Sequence, residues 1–318
     1  IFVRDLFDHD KLVSKIRKLK DKYPGINEDK IVSNLEQYIN RIEPFVRDTK
    51  EEMRKFYDEG KKILIEGAQG LLLSIEHGTY PFVTSSDCSL NGTVNGVGLP
   101  ATVVGLSLGI VKFPFMTRVG AGPFPTELGG RESEIYCGID GLTRLDELVR
   151  FRVHYELGMN GQVDYDQKHE EIQRLINSTD QSEQGIGIRL AANEYGATTG
   201  RPRRIGWTDA VACKYAVGIN RGFLVLTKPD CLDGIGEFKI CYGYEDGLGK
   251  VRETFSRDPD VLRNVNPVYK TYEGYGDISG VRDYSGLPRS LKTAINDFER
   301  FTNARVAIVS VGADREAT

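Results

Sequence analysis

Apolar residues recur at helical spacing through the first sixty positions. Residues 12–19 place their apolar members on one side of a segment that Asp8 or Asp10 can cap, and residues 31–42 repeat the pattern. Pro24 separates the two segments, since proline interrupts a helix. We therefore predict two amphipathic helices, with charged outer faces and a structural role.

From Lys62 onward, short apolar runs typical of buried strands alternate with helical stretches. The runs predict strands at residues 63–65, 109–113, 223–226 and 306–309. Thr208 and Asp209 predict the start of a helix that crosses residues 210–217. This alternation favours an α/β fold with a largely parallel sheet flanked by helices. We assign residues 1–61 to a helical segment and 62–318 to the α/β core.

Composition narrows the class of protein only slightly. The chain has 318 residues, with 42 Lys and Arg against 46 Asp and Glu, and a net charge of −4. A general nucleic-acid binder would usually be basic, so that class is disfavoured. The five cysteines lack Cys-x-x-Cys spacing, which favours free thiols in a reducing compartment and suggests no zinc site. No run approaches the roughly 20 apolar residues of a membrane span and no signal-peptide pattern occurs, so a cytoplasmic protein is expected.

Residues 196–204 read Gly-Ala-Thr-Thr-Gly-Arg-Pro-Arg-Arg, which is typical of an anion clamp. Gly200 lets the backbone approach a ligand, and Pro202 keeps the run out of a helix. Guanidinium groups at alternate positions can bind carboxylate or phosphate with two hydrogen bonds each. A solvated basic loop or a nucleic-acid patch is the alternative interpretation.

A Lys-x-Asp pair, Lys228 and Asp230, directly follows the predicted strand at residues 223–226. Ligands of open α/β sheets bind at the carboxyl ends of the strands. A carboxylate there can accept hydrogen bonds from the ring N–H and the exocyclic amine of guanine, while the lysine stem lies along the base. The pair is short enough to arise by chance, and a surface ion pair remains the alternative.

Four further motifs lie along the chain, three before and one after the two described above. They are Glu-Gly-Ala-Gln-Gly at residues 66–70, His-Gly-Thr-Tyr-Pro at 77–81 with Val-Thr-Ser-Ser at 83–86, the loop at 118–127, and Ser-Val-Gly-Ala-Asp-Arg at 310–315. With the two motifs above, the chain from about Ile63 to Arg315 closely resembles the adenylosuccinate synthetase family. The resemblance implies a P-loop-NTPase-like synthetase fold.

Two features that this family carries near its amino terminus do not occur in the sequence. There is no Gly-rich phosphate loop with its lysine and no Asn-x-x-His motif, and residues 247–250, Gly-Leu-Gly-Lys, are better explained as a turn between strands. We therefore expect a carboxyl-proximal part of the enzyme, incomplete at the amino terminus and inactive alone. The Mg²⁺ ligands, the base and the general acid would lie in the absent part, so no catalytic residue is assigned here.

The resemblance implies ligation of L-aspartate to IMP, driven by GTP through a 6-phosphoryl intermediate, to give adenylosuccinate. It also implies a homodimer. For IMP it implies Gln69 near the purine 6-position, Thr84 and Arg201 at the phosphate or ribose, and Val119 at the ribose through its backbone. The loop implied to bind aspartate comprises Ala197, Thr198, Thr199, Gly200, Arg201, Pro202 and Arg203. The residues implied to bind GTP are Arg203, Lys228, Pro229, Asp230, Ser310, Val311 and Gly312.

Three matters stay open at this stage. Residues 131–184 exceed the corresponding family stretch, with helical patterns at 142–155 and 167–176, and we interpret them as an insertion that serves as a lid or a contact surface. His77 lies in a family motif but outside the expected position of the general acid, which favours a structural role. The alternative functions are a phage-type ligase acting on a 2-amino purine nucleotide (dGMP) and a non-catalytic GTP-binding relative.

Overall fold

The computed structural model describes residues 1–159 and 162–318. Within these residues the helices are α1 His9–Lys22, α2 Glu28–Ile42, α3 Thr49–Asp58, α4 Leu90–Val97, α5 Gly130–Cys137, α6 Arg144–Arg150, α7 Glu170–Ile176, α8 Gln181–Ala191, α9 Ala210–Asn220, α10 Pro259–Arg263 and α11 Arg289–Thr302. The strands are β1 Leu108–Lys112, β2 Phe115–Arg118, β3 Tyr155–Leu157, β4 Val163–Tyr165, β5 Arg204–Asp209, β6 Phe223–Thr227, β7 Ile235–Glu245, β8 Val251–Arg252, β9 Asn266–Tyr275 and β10 Arg305–Ser310.

The chain forms two compact units, of which the first comprises Ile1–Leu64 and Asn95–Pro100. The two helices predicted there are confirmed as α1 and α2. The Asp8 side chain caps α1 by accepting a hydrogen bond from Lys11 N at 3.1 Å, so Asp8 rather than Asp10 is the cap. Leu12, Ile16 and Val32 form a small core between these helices.

The second unit, Ile65–Val94 and Ala101–Thr318, contains a parallel three-stranded sheet in the order β1-β6-β10. The strands predicted at residues 109–113, 223–226 and 306–309 are confirmed. The central strand, β6, buries its Leu-Val-Leu core, as expected of a parallel strand covered on both faces. Thr227 pairs with Lys112 of β1 on one side and with Ser310 of β10 on the other. The carboxyl ends of the three strands therefore meet at one edge.

A second, mixed sheet lies in this unit, which also contains the two-stranded sheet β3-β4. The path of the mixed sheet is β2-β5-β7-β8, with β9 also paired to β7; only β5 and β7 run parallel. The helix predicted at residues 210–217 is confirmed as α9, and α7, α8 and α11 contribute further apolar side chains to the main core. The α/β class with a parallel sheet flanked by helices is confirmed, and the mixed sheet adds antiparallel pairs to it.

Two local predictions are wrong. Residues 63–65 form no strand, and Leu64 is 96% exposed; the apolar run has no partner strand among the described residues to satisfy its backbone. The helical pattern at residues 142–155 ends with α6 at Arg150, since Arg152 adopts a left-handed backbone and Tyr155 then enters strand β3. Residues 247–250 do form the predicted turn, between β7 and β8.

Other predictions from the sequence stand as follows. All five cysteines are free, and Cys137, Cys213 and Cys241 are buried. Among the described residues, no helix combines the length and apolar character that crossing a membrane requires. The division at residues 61 and 62, and the status of 131–184 as an insertion, stay predictions.

Candidate functional site

The arginine-rich loop is a short excursion between α8 and β5. Tyr195 and Pro202 form a bridge at its base, and Gly196 N donates to the Arg201 carbonyl at 2.8 Å. Gly200 has a φ of +66°, a conformation that glycine adopts without strain. Ala197, Thr198 and Thr199 are exposed at the tip. The loop therefore presents hydroxyl and backbone groups to its surroundings from a closed base.

The three arginines of this segment serve different partners. Arg201 is 54% exposed at its side chain and pairs with Asp140 at 2.5 Å. Arg203 donates from Nη1 to Oε2 of Glu194 at 2.8 Å. Arg204, by contrast, is buried and donates to Glu127 and to the carbonyls of residues 120 and 122. Arg204 thus holds the loop at 118–122, whereas the side chains of Arg201 and Arg203 are partly exposed.

Glu194 is the centre of a charged cluster that we name the Glu194 cluster, formed by Lys112, Glu194, Arg203 and Lys228. Lys112 Nζ lies 2.6 Å from Oε2, and Lys228 Nζ lies 3.3 Å from Oε1. Although burial opposes ionisation of Glu194, Lys112 and Lys228 lower its pKa overall. Burial also lowers the pKa of Lys112. Because Lys112 and Lys228 end or follow adjacent parallel strands, the sheet itself brings these cations together.

The segment at residues 227–230 turns sharply after β6. Lys228 has a left-handed backbone with φ +67°, and its Nζ donates to the Ala192 carbonyl at 2.6 Å. Left-handed non-glycine residues are strained and collect at functional sites. Pro229 is buried and begins a 3-10 helix, and its carbonyl accepts from Tyr275 Oη at 2.9 Å. The lysine ammonium is thereby held in place by the Ala192 carbonyl.

Asp230 is half-buried and has weak partners. Its Oδ2 lies 3.9 Å from Cys231 Sγ, a long contact for a hydrogen bond. Burial raises the pKa of Asp230, and Lys228 opposes that shift. A half-buried carboxylate with so little hydrogen bonding can accept donors from a ligand.

The motif at residues 310–315, which begins at the end of β10, lies beside residues 227–230, since Ser310 is the register partner of Thr227. Ser310 Oγ donates to the Gly312 carbonyl at 3.1 Å. Val311 is buried, and its N–H donates to the Ala317 carbonyl at 2.9 Å. The structure therefore brings the residues predicted to bind guanine together on two adjacent strand ends.

The residues predicted to bind IMP lie on loops of the same unit. Gln69 is exposed and has a left-handed backbone with φ +66°, and Thr84 N donates to the Leu73 carbonyl at 2.7 Å. Val119 is 56% exposed. It follows Arg118, which is buried and donates to Thr79 and to the Phe82 carbonyl, each at 3.3 Å.

Burial lowers the pKa of Arg118 to about 10. Its hydrogen bonds tie the loop that carries Val119 to the loop that leads to Thr84. Across the described residues no hydrogen bond or ion pair joins Arg201 to Gln69, Thr84 or Val119.

Sequence reasoning missed Glu194, Lys112 and Asp140. Glu194 stands two residues before the arginine-rich loop, and Lys112 lies within the strand predicted at residues 109–113; both positions were available signals. Asp140 had none, because its ion pair with Arg201 spans 61 positions. His77 contributes its backbone carbonyl to a hydrogen bond from Tyr215 Oη at 3.2 Å, which suits the structural role predicted for that segment.

The geometry defines an α/β protein whose cationic and polar groups collect at the carboxyl edge of a parallel sheet, the usual place for a nucleotide or other anionic ligand. The chain belongs to the adenylosuccinate synthetase family, whose family model matches residues 1–318.

Individual relatives agree with this assignment. The adenylosuccinate synthetase of Wolinella succinogenes is 34% identical over 99% of this chain and 64% of its own length, and that of Thermodesulfovibrio yellowstonii is 34% identical over 98% and 64%. The structure of fully ligated adenylosuccinate synthetase from Plasmodium falciparum has a TM-score of 0.75 at 26% identity, and covers 98% of this chain and 64% of that one. The chain therefore spans somewhat less than two thirds of the length of these relatives.

Proposed function

We propose that this chain is the part of a GTP-dependent ligase that binds the guanine base and the amino acid. The reaction joins L-aspartate to IMP through a 6-phosphoryl-IMP intermediate and yields adenylosuccinate, in AMP biosynthesis. The observation that carries the proposal is the pairing of β6 with β10, which sets the Thr227–Asp230 turn beside Ser310–Gly312.

The guanine assignment rests on the chemistry of Asp230. Guanine offers a ring N–H and an exocyclic amine on one edge, and a carboxylate can accept from both. Adenine has no ring N–H at that position, so Asp230 favours GTP over ATP. Lys228 supports the base with its stem, because its ammonium is already engaged by Ala192 and Glu194.

The aspartate assignment rests on the loop at residues 197–203. Thr198 and Thr199 offer hydroxyl donors at the exposed tip, and Arg201 and Arg203 offer guanidinium groups for the two carboxylates of aspartate. Arg203 also faces the GTP side of the site through the Glu194 cluster. The same loop can therefore orient the amine that attacks the activated purine.

The chemical logic of the reaction is leaving-group activation. Transfer of the γ-phosphoryl group to the purine 6-oxygen converts a poor leaving oxygen into a good one, and the aspartate amine then displaces phosphate. We propose that Gln69, Thr84 and Val119 hold the purine and ribose of IMP during both steps. The groups that move protons belong to the family's amino-terminal motifs, which these 318 residues do not contain.

Mg²⁺ would neutralise charge on the GTP phosphates when bound. The cations around Glu194 do not suit a divalent metal, and the part of the chain that the structure describes contains no group of three metal-ligating side chains. We propose, on family membership, that the Mg²⁺ ligands belong to the family's amino-terminal motifs, and assign none here. A homodimer and a cytoplasmic location are proposals that rest on family membership alone.

The test is product formation by a protein in which this chain is joined to a family amino-terminal segment. With IMP, L-aspartate, GTP and Mg²⁺ we expect adenylosuccinate absorbance, and with dGMP in place of IMP we expect none. The 318 residues alone are the matched control and should give no product. A full-length protein that ligates dGMP but not IMP would favour the phage-type reaction, and one that binds GTP without product would favour a non-catalytic relative.

A further inference from the structure

Glu194 occupies a position where three separate elements converge. It follows α8 directly after Asn193, whose left-handed backbone turns the chain, and its side chain is 1% exposed. Its backbone carbonyl also accepts from Arg203 N at 3.0 Å, so the two residues are joined through both main chain and side chain. Such a residue controls where the Arg203 guanidinium can lie.

The partners of Glu194 come from the two halves of the proposed site. Arg203 belongs to the loop at residues 197–203, which we propose to bind aspartate, and it shares Oε2 with Lys112. Lys228 belongs to the segment at residues 227–230, which we propose to bind guanine, and it faces Oε1. One carboxylate therefore spans both halves, with one oxygen directed to each. Charged partners at these distances fix side-chain orientation more firmly than neutral hydrogen bonds do.

The charge of the Glu194 cluster is not balanced. Three cations face one carboxylate, which leaves an excess of two positive charges. The neutral acceptors are few: Lys112 donates to Thr117 Oγ1 at 2.7 Å and Lys228 to the Ala192 carbonyl. An excess of this kind favours binding of an anion, and Glu194 keeps the cations close together against their mutual repulsion.

We propose that Glu194 is a positioning residue that fixes the side chains of Arg203 and Lys228 relative to each other. Aspartate binding and GTP binding then depend on the same buried carboxylate. This proposal rests on the proposed function. Glu194 itself touches neither aspartate nor GTP and acts through these two cations.

The test uses the full-length ligase and the variant Glu194→Gln, which keeps the shape of the side chain and removes its charge. We expect the KM values for aspartate and for GTP to rise together by at least roughly tenfold, while the KM for IMP stays within about twofold, since loss of one member of a buried charged set weakens what its partners hold. Glu194→Asp keeps the charge on a shorter stem and should restore part of both affinities.

The matched control is Asp209→Asn, a buried carboxylate of another network, which should leave both KM values unchanged. Glu194 would be only a structural anchor if its Gln variant lost thermal stability with all three KM values unchanged, or if only one of the two affinities fell. Should the Gln variant not fold, a parallel rise of both KM values in Glu194→Asp supports the proposal and unchanged values overturn it. Absence of product from the parent protein would instead reject the proposed function.

Discussion

Glu147 and Glu194 are both fully buried carboxylates, yet their surroundings differ. Glu147 accepts one bifurcated hydrogen bond from Arg189 Nε, one hydrogen bond from Arg189 Nη2 at 2.8 Å and one from Tyr195 Oη at 2.5 Å. The Arg189 side chain is 2% exposed, so this pair is closed and electrically balanced. Glu194 faces three cations whose side chains are 25 to 36% exposed.

This difference distinguishes a charged pair with a structural role from charged groups that can face a ligand. A balanced buried pair has no capacity left for a ligand, whereas a partly exposed excess of positive charge can receive one. The two networks are adjacent in space as well, because Arg189 Nη1 donates to the Arg203 carbonyl at 2.7 Å. The closed pair thus fixes the backbone of the residue whose side chain serves the open cluster.

The largest effect on stability should come from breaking the closed pair. Glu147→Gln leaves the buried Arg189 charge without its counter-ion, and we expect the free energy of unfolding to fall by about 3–5 kcal/mol. Urea unfolding measures this change. Glu194→Gln should lower the free energy of unfolding clearly less, because the cations around Glu194 are partly exposed to solvent. Equal decreases in the two variants would contradict the comparison.

The next largest effect, on aspartate kinetics, should come from the partly exposed Arg201. Arg201→Leu in the full-length enzyme should raise the KM for aspartate or lower turnover by at least roughly a hundredfold, because a charge-assisted partner in a site is worth about 2–5 kcal/mol. Steady-state kinetics with varied aspartate checks this. Asp140→Asn is the control: it removes the ion-pair partner of Arg201 but keeps the guanidinium, so aspartate affinity should not fall. Unchanged aspartate kinetics in Arg201→Leu would remove Arg201 from the site.

A third buried carboxylate, Asp209, pairs with no cation among the described residues and gives the smallest effect. Burial raises the pKa of Asp209 to about 6, against hydrogen bonds from Tyr244 Oη and the N–H of Ala212. Below pH 4 the group is protonated in both states, so its contribution is fully present. Between about pH 4 and 6 the unfolded chain ionises first, and the free energy of unfolding declines by at most about 3 kcal/mol.

Asp209→Asn should flatten that decline, as measured by denaturant unfolding at several pH values. The decline should not vanish, because burial also raises the pKa of Asp233 to about 6. An identical pH dependence in parent and variant would mean that Asp209 is ionised in the folded protein.

The parallel sheet, and the position at its edge of residues 227–230, which we propose to bind guanine, were predictable from the sequence because their signals are local. Apolar runs marked β1, β6 and β10, and Lys228 with Asp230 stood directly after one of them. The strand predicted at residues 63–65 does not form, because an apolar run becomes a strand only where a partner pairs with its backbone.

The different partners of the three arginines could not be predicted from the sequence. Arg201, Arg203 and Arg204 look alike in the sequence, and only their partners in the fold distinguish them: Asp140 and Glu127 are distant along the chain, whereas Glu194 lies nine positions from Arg203. The importance of Glu194 likewise depends on two lysines, one 82 positions before it on β1 and one 34 positions after it beyond β6. Charge balance is a property of the assembled fold.

The most direct test of the proposed site is nucleotide choice in the full-length Asp230→Asn variant. Replacing one acceptor oxygen by an amide donor opposes guanine N1–H but suits the 2-oxo group of xanthine, a change worth on the order of 2–4 kcal/mol. We predict that kcat/KM for GTP falls by roughly tens- to a thousandfold while that for XTP rises, with IMP and aspartate parameters nearly unchanged. A variant that still prefers GTP as strongly as the parent would show that Thr227 to Asp230 is not the guanine pocket.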